Sequence, residues 1–309
     1  MWGAVLFSGC AFLPLLPVPD LQSYDPGRPG RWTVHRIASE EIREASGLVM
    51  SRSHPGVFWT HNDSGDSPRI FAITPRGEVI ATFAVEGALH RDWEAIAADD
   101  AGHLYLADFG NNGNARRDLV VYRVSEPDPF VDSGNIRVDL TLPFRYADQE
   151  AFPQWGSWNF DAEALFWMEG ALYIFTKHRS DQSTQLYRLP VEPGSGEAVL
   201  EPLGRFDLIE GWPRPFDLMG NVTGADLHAD GQLLALLSYR SLYLFAREPD
   251  DARLFRQVRR IHLRTRRTRM VEGVAWDGDD VIIVNEQRYL FRIPDLRSLP
   301  SSQLESYPP

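Results

Sequence analysis

Apolar runs and polar turns alternate along the chain in a unit that recurs five times. Each unit begins with a polar residue, then Gly or Ala, then an apolar residue, as in Ser46-Gly47-Leu48. The other four copies are Glu94-Ala95-Ile96, Glu163-Ala164-Leu165, Thr223-Gly224-Ala225 and Glu272-Gly273-Val274. A short turn bearing Gly, Pro or Asp follows each copy, and a second apolar run then becomes polar at its end. The pattern predicts five β-hairpins.

A third apolar run with an aromatic residue follows every hairpin, and a fourth run follows only four of them. The fourth-strand candidates are EVIATFAV, IRVDLTLPF, AVLEPLGRFD and FRQVRRIHL. The missing strand is available upstream of the first unit, at residues 32–37, where its pairing with the last unit would close a ring. Four-stranded antiparallel sheets repeated in this way predict an all-β, five-bladed β-propeller closed by an N-terminal strand. Two insertions, at 146–160 and 209–219, are interpreted as rim loops, and six blades are the alternative.

The propeller is expected to span residues 31–296 and to be followed by a C-terminal tail at 297–309. Residues 1–19 are apolar and uncharged, but three prolines interrupt them, which disfavours a membrane-spanning helix. The segment LFSGC, ending at Cys10, is similar to the lipobox of bacterial lipoproteins. Residues 1–30 are therefore interpreted as a signal or lipoprotein-like segment followed by a Pro- and Gly-rich tether. This predicts the periplasmic side of the cell envelope, with membrane tethering through a lipid on Cys10.

Charge and cysteine content narrow the classes of partner. The 309 residues include 31 Lys and Arg against 43 Asp and Glu, which gives a net charge of −12. Such a surface disfavours nucleic acid as a partner and favours cations. The single cysteine excludes an internal disulfide and any cysteine-based zinc cluster. A metal ion would have to be held by oxygen or histidine.

In a propeller the first strand of every sheet lines the central channel, so the acidic residues at the starts of these strands should meet at one mouth. Like charges buried together are unfavourable unless a cation or a proton compensates them. Calcium accepts six to eight oxygen ligands in irregular geometry, so Ca²⁺ is the expected cofactor. The predicted metal ligands are Asp92, Glu94, Asp161, Glu163 and Glu272. The alternative interpretation is that these residues lie in a solvated channel and only orient backbone turns.

The ends of the second strands should reach the same face, because they lie beside the starts of the first strands. Polar residues occupy this position in all five units. The ligand-binding candidates are Asn62, Asp63, Asp108, Asn111, Arg116, Lys177, Arg179, Arg240, Asn285 and Glu286. His61 and His178 are the candidate catalytic bases, since imidazole titrates near neutral pH. Taken singly, each of these residues is better explained as ordinary solvated surface. Convergence of the five clusters on the carboxylate face makes the group as a whole a candidate site.

Several segments resemble a group of bacterial envelope propellers related to the SdiA-regulated proteins. They include EASGL, THNDSG, DWEAIA, LYLADFGNNGNARR and DAEAL, and the resemblance covers residues 40–295. A more distant similarity is to propeller phytases and their esterase-like relatives. The resemblance implies a five-bladed propeller with bound calcium, and the phytase-like relatives imply several calcium ions and phosphoester hydrolysis. Only the acidic inner-strand positions named above carry over from the family. The fourth unit departs from the pattern, since Asn221 and Thr223 stand where other units have acids.

The expected function is that of a calcium-binding envelope propeller whose polar face binds a small molecule or an envelope protein. The alternative is a metal-dependent hydrolase of lactones, aryl esters or phosphoesters. A scaffolding protein without a metal is a third possibility. Sequence alone does not decide between these functions.

Overall fold

The computed structural model describes residues 32–131, 134–181, 183–192, 196–208, 220–251, 253–263 and 265–297. The predicted leader and tether around Cys10, the insertion at 209–219 and the C-terminal tail from residue 298 lie outside these residues. No helix within the described segments has the length and apolar character that a membrane crossing requires.

The regular structure of the described chain consists of strands and one helix, α1 (Thr265–Thr268). The strands are β1 (Thr33–Arg36), β2 (Ala45–Met50), β3 (Phe58–Asn62), β4 (Arg69–Ile73), β5 (Val79–Glu86), β6 (Trp93–Ala98), β7 (His103–Asp108), β8 (Val120–Ser125), β9 (Gly134–Tyr146), β10 (Asp161–Met168), β11 (Ala171–Lys177), β12 (Ser183–Pro190), β13 (Ala198–Leu200), β14 (Pro202–Asp207), β15 (Val222–Leu227), β16 (Leu233–Ser238), β17 (Ser241–Arg247), β18 (Phe255–His262), β19 (Val271–Asp277), β20 (Asp280–Asn285) and β21 (Tyr289–Ile293).

These strands form antiparallel units of four, in the orders β2-β3-β4-β5, β6-β7-β8-β9, β10-β11-β12-β14, β15-β16-β17-β18 and β19-β20-β21-β1. The last unit takes its outer strand from the N-terminus, where Thr33 pairs with Arg292 and Arg36 with Tyr289. The prediction that residues 32–37 complete the last sheet is thus confirmed. The expected outer strand AVLEPLGRFD is instead divided into β13 and β14.

The inner strands β2, β6, β10, β15 and β19 pack side by side in a closed cycle, since β19 also contacts β2. Five clusters of buried apolar side chains lie between neighbouring units, including one between the first and the last. The predicted all-β propeller is confirmed by this arrangement.

Close approach of the inner strands explains why Gly or Ala recurs at the second position of the repeat. A Cβ atom on Gly273 would lie 2.8 Å from the carbonyl carbon of Gly47, and one on Gly224 would lie 3.2 Å from the carbonyl oxygen of Glu272. Larger side chains there would push the strands apart and widen the channel.

Backbone hydrogen bonds also connect some units at the rim. The outer strand β5 pairs in parallel with the start of β9, from Phe83 with Gly134 to Glu86 with Arg137. The end of β9 pairs in parallel with β13, which follows β12 in the chain but extends the sheet of the first two units. The first two units are therefore joined at the rim as well as at the channel.

Candidate metal centre

A β-bulge at the start of each inner strand positions the acidic residues. The register against the second strand shifts between Trp93 and Ala95, and the same shift occurs in the other four units. In each unit the bulged residue has no partner on the second strand. These residues are Gly47, Glu94, Glu163, Thr223 and Glu272. Bulges re-aim side chains and are common beside functional sites. Here they bring three glutamates and one threonine to a common channel lining.

Two overlapping groups of three carboxylates occur among the described residues. One consists of Asp63, Asp92 and Glu94, and the other of Glu94, Asp161 and Glu163. Within each group, one oxygen from every carboxylate lies within 4.8 Å of the others. Oxygens bound to one Ca²⁺ ion are at most about 5 Å apart, because each Ca–O distance is about 2.4 Å. Either group therefore has the spacing needed to share a cation.

The groups differ in the positive charge that faces them. Lys177 Nζ lies 2.7 Å from Glu163 Oε1, and Arg179 Nη2 lies 3.0 Å from Asp161 Oδ2. By contrast, Asp63, Asp92 and Glu94 have no salt-bridge partner among the described residues. The carboxylates without an ion-pair partner therefore lie on the side formed by the first and second units.

Burial and mutual repulsion raise the pKa values of these carboxyl groups. Burial, followed by the charges of Asp63 and Asp161, raises the pKa of Asp92 to about 7. Burial also raises the pKa of Glu163 to about 8, although Lys177 opposes the change. The pKa of Glu94 is raised well above its usual range by burial and by Glu163. The cluster is consequently unfavourable in its fully ionised form unless a further cation is bound.

Gly110, just after β7, allows the backbone to approach the first carboxylate group closely. A Cβ atom at this position would lie 2.4 Å from both Asp92 Oδ2 and Glu94 Oε1. The Gly110 amide donates to the Asp92 carbonyl oxygen at 3.1 Å. Glycine is therefore required for the two carboxylates to keep their present positions.

The fourth unit contributes buried polar groups in place of acids. Thr223 is 1% exposed and Asn221 is 5% exposed. Neither Thr223 Oγ1 nor Asn221 Nδ2 has a hydrogen-bond partner among the described residues. The Thr223 side chain lines the same cavity as Glu94, Glu163 and Glu272. An unpaired buried hydroxyl costs about 1–3 kcal/mol, so this position favours a ligand that the hydroxyl can bind.

The cavity inside the carboxylate ring has a volume of about 10 Å³, enough for about one water molecule. An organic substrate does not fit inside the channel. Any larger ligand of this face must bind above the ring, where Asp63 and Asp92 are only half-buried.

The predicted metal ligand Glu272 belongs to neither carboxylate group. It lines the cavity, and a hydrogen bond joins its side chain to that of Glu286. Burial raises the pKa values of both glutamates. Asp63, which the sequence placed among the ligand-binding candidates, stands instead beside Asp92 and Glu94. Asp63 directly follows a second strand, and this position in the sequence could have indicated that its side chain lies beside the acids of the first strands.

Several of the ligand-binding candidates form internal contacts. Asn62 Oδ1 accepts from the Arg43 amide at 2.8 Å, and Asn285 Nδ2 donates to the Thr268 carbonyl oxygen at 2.8 Å. Asn111 Oδ1 accepts from the Arg116 amide at 3.0 Å, and the Arg116 guanidinium lies 2.9 Å from Asp108. These residues shape the loops of the mouth. Lys177 and Arg179 lie within the carboxylate cluster, and Arg240 is half-buried in the turn between β16 and β17.

The two candidate bases occupy different environments. His61 is fully buried, and burial lowers its pKa to about 4. Its Nδ1 contacts the Asn62 carbonyl oxygen at 2.9 Å, and its ring packs edge-on against Trp93. This placement gives His61 no route to a ligand above the ring. His178 Nδ1 lies 2.7 Å from Asp181 Oδ1.

Tyr239, one of the polar residues that the sequence places at the end of a second strand, has its hydroxyl 3.0 Å from Lys177 Nζ. It lies one residue beyond β16, where the other units carry their mouth residues. The insertion at 146–160 lies beside the mouth, since the Trp158 carbonyl oxygen accepts from the Arg179 amide at 2.9 Å. Trp155 in this loop is 77% exposed and packs edge-on against Trp158.

Comparisons with known proteins support the fold. No family model matches the chain, and no curated protein matches it. The crystal structure of Mala s 1, the major allergen of Malassezia sympodialis, matches over 85% of this chain and 96% of its own, with a TM-score of 0.54 and 9% sequence identity. A chain of the mitotic checkpoint complex matches over 81% of this chain at 13% identity, with a TM-score of 0.39. The present chain covers 62% of that second chain. At this identity the likeness to Mala s 1 is one of fold, and that fold is a β-propeller.

Proposed function

We propose that the protein is a calcium-binding propeller of the cell envelope whose polar face binds a small molecule or a protein partner. The observation that carries the proposal is the group formed by Asp63, Asp92 and Glu94. Its oxygens have the spacing for one cation, and none of its three carboxylates has a salt-bridge partner among the described residues.

The donor set favours calcium over the transition metals. The first group offers carboxylate oxygens only, and hard oxygen ligands suit Ca²⁺ and Mg²⁺ rather than zinc or copper. The irregular positions of the three carboxylates, which come from two different units, suit the flexible coordination of Ca²⁺ better than the octahedron of Mg²⁺. Asp63 and Asp92 would hold the ion from the solvent side, and Glu94 would hold it from the channel side.

Half-burial of Asp63 and Asp92 leaves room for further ligands on the outer side of the ion. A small molecule or an extended peptide carrying oxygen donors would fit there, since the channel itself is too small. The envelope location rests on residues 1–30, whose lipobox-like segment ends at Cys10. A tether of this kind would hold the propeller near a membrane without a spanning helix.

Calcium titration of metal-free protein, by calorimetry and by thermal unfolding, tests the proposal. We expect calcium to raise the melting temperature, because a ligand that binds only the folded state stabilises it. The variant Asp92→Asn should lose most of this response. Asp100→Asn, which removes an exposed acid from a turn at the other end of the second unit, is the matched control. Absence of calcium binding by the unmodified protein would refute the proposal.

A metal-dependent hydrolase is the second candidate, and the pairing of His178 with Asp181 favours it. A carboxylate that accepts from Nδ1 orients the imidazole and leaves Nε2 to act as a base. The substrate would be a lactone, aryl ester or phosphoester bound above the ring. Turnover of such substrates that requires calcium and is lost in His178→Asn would establish this activity. Lack of turnover across all three substrate classes would leave only the binding role.

A further inference from the structure

Two potential cation positions share Glu94, yet only one of them has carboxylates in ion pairs with basic side chains. In the group of Glu94, Asp161 and Glu163, the two carboxylates from the third unit already contact basic residues. Asp161 contacts Arg179, and Glu163 contacts Lys177. The contrast raises the question of how many ions the mouth can hold.

Lys177 holds its ammonium group inside this second group. The side chain is 7% exposed, and Nζ donates to Glu163 Oε1 at 2.7 Å and to the Tyr239 hydroxyl at 3.0 Å. Asp161 and Glu272 also act on this ammonium group and help to raise its pKa. A buried charge is retained only when it is paired and hydrogen-bonded, and Lys177 meets both conditions.

The oxygens of Asp161 are also engaged. Oδ1 accepts from the Asn111 amide at 2.6 Å, and Oδ2 accepts from the Arg179 guanidinium at 3.0 Å. A calcium ion would have to lie about 2.4 Å from its carboxylate ligands, and the ammonium of Lys177 already lies at contact distance from Glu163. Charge and space both exclude an ion from the second position.

Thr223 provides an independent indication that a cation would find a further oxygen ligand at this position if Lys177 were removed. Its buried hydroxyl has no hydrogen-bond partner among the described residues, and it lines the cavity together with Glu163 and Glu94. An ion in the second position would gain this hydroxyl as a further ligand.

We infer that Lys177 is a built-in counter-ion that takes the place of a second metal ion, so that the protein binds one calcium and not two. Replacing Lys177 with a neutral residue would create a second calcium site formed by Glu94, Glu163 and Thr223. The inference rests on the proposed function, since it presupposes calcium at Asp63, Asp92 and Glu94.

The experiment measures bound calcium per folded chain by calorimetry and elemental analysis. We expect one ion in the unmodified protein, two in Lys177→Gln, and one in Lys177→Arg, which keeps the charge. Asp63→Asn should weaken the single ion of the otherwise unmodified protein by at least about tenfold, because a charged ligand is lost. Glu163→Gln should change that affinity by less than about threefold, because Glu163 is engaged with Lys177 rather than with the ion.

Two ions in the unmodified protein, or a single ion in folded Lys177→Gln, would overturn the inference. Loss of calcium binding in Glu163→Gln would also overturn it, and this variant keeps the test decisive if Lys177→Gln does not fold. No calcium in the unmodified protein would instead refute the proposed function itself.

Discussion

Lys177 and Glu163 form a buried ion pair, with 2.7 Å between Nζ and Oε1, on the neighbouring strands β11 and β10. The pair lies at the edge of a cluster in which carboxylates outnumber basic groups. The sheet positions the two side chains of the pair, because the bulge before Ala164 turns Glu163 towards the channel.

Removal of one member of this pair should destabilise the metal-free protein strongly. We expect Lys177→Met to lower the free energy of unfolding by about 3–5 kcal/mol, since it leaves a buried carboxylate unpaired. The double variant Lys177→Met with Glu163→Gln should recover part of this loss. Urea denaturation of the two single variants and the double variant forms a double-mutant cycle. Additive effects would show that the two side chains do not interact.

Gly110 offers a test of the first carboxylate group that changes no charge. We expect Gly110→Ala to lower calcium affinity at least about tenfold, because the new methyl group would displace Asp92 and Glu94. Gly113→Ala is the control, since a Cβ atom there meets nothing within 4 Å and the residue lies in the same loop. Calorimetric titration of both variants makes the comparison. Equal affinities would place the ion elsewhere.

Calcium binding should strengthen as pH rises from 5 to 8. The pKa of Asp92 is raised to about 7, so below this pH a proton occupies the carboxylate and must leave when calcium binds. The apparent affinity should therefore rise by up to about tenfold per pH unit for each proton released. Titrations in buffers of different ionisation enthalpy count these protons. Affinity that does not change with pH would exclude Asp92 as a ligand.

Asp226 should make stability depend on pH independently of the mouth. Its carboxylate is buried on β15, where Oδ2 accepts from the Trp276 amide at 2.8 Å, and burial raises its pKa to about 6. A carboxyl group whose pKa is higher in the folded state stabilises the fold below its unfolded pKa and loses this contribution as pH rises through its folded pKa. The window is thus pH 4 to 6.

We expect the loss to amount to about 3 kcal/mol, since one pKa unit corresponds to about 1.4 kcal/mol. Asp226→Asn keeps a hydrogen-bond acceptor and should reduce the dependence by this amount. Denaturation of both proteins between pH 4 and 7.5 measures the difference. Parallel stability curves for the two proteins would contradict the assignment.

The N-terminal strand should be essential for a closed ring. Deletion of residues 1–37 removes β1 and the buried Ile37, which should lower the melting temperature by roughly 10 °C and expose β21 as an unpaired edge. Deletion of residues 1–31 leaves β1 in place and is the control. Thermal unfolding and size-exclusion chromatography distinguish the two. Equal stability would show that β1 contributes little.

The repeat was readable from sequence because each sheet uses the same alternation and the same turn chemistry. The sequence contains a fourth-strand candidate for only four of the five units, and this shortage predicted the displaced strand at 32–37. The convergence of Asp92, Glu94, Asp161 and Glu163 followed from strand geometry alone. Their roles as metal ligands remain a prediction.

Other features depend on details that no single-chain pattern contains. The ion pair of Glu163 with Lys177 depends on the bulge at Glu163. In the first unit the bulge falls at Gly47, so Ser46 does not occupy the position equivalent to Glu163, and its hydroxyl donates to the Glu94 carbonyl oxygen. The burial of His61 arises from packing between two units. The parallel pairing of β5 with β9 joins strands about fifty residues apart that share no sequence signal.

That rim pairing divides the molecule mechanically. Main-chain hydrogen bonds run from the first unit through β9 to β13, so the first two units should respond to force or heat as one body. Within the described residues, no strand pairing joins the fourth and fifth units to their neighbours. Local opening of the ring should accordingly begin at the interfaces on either side of these two units. Glu272 lies on a strand at one such interface, so it should be displaced before the other acidic residues of the mouth.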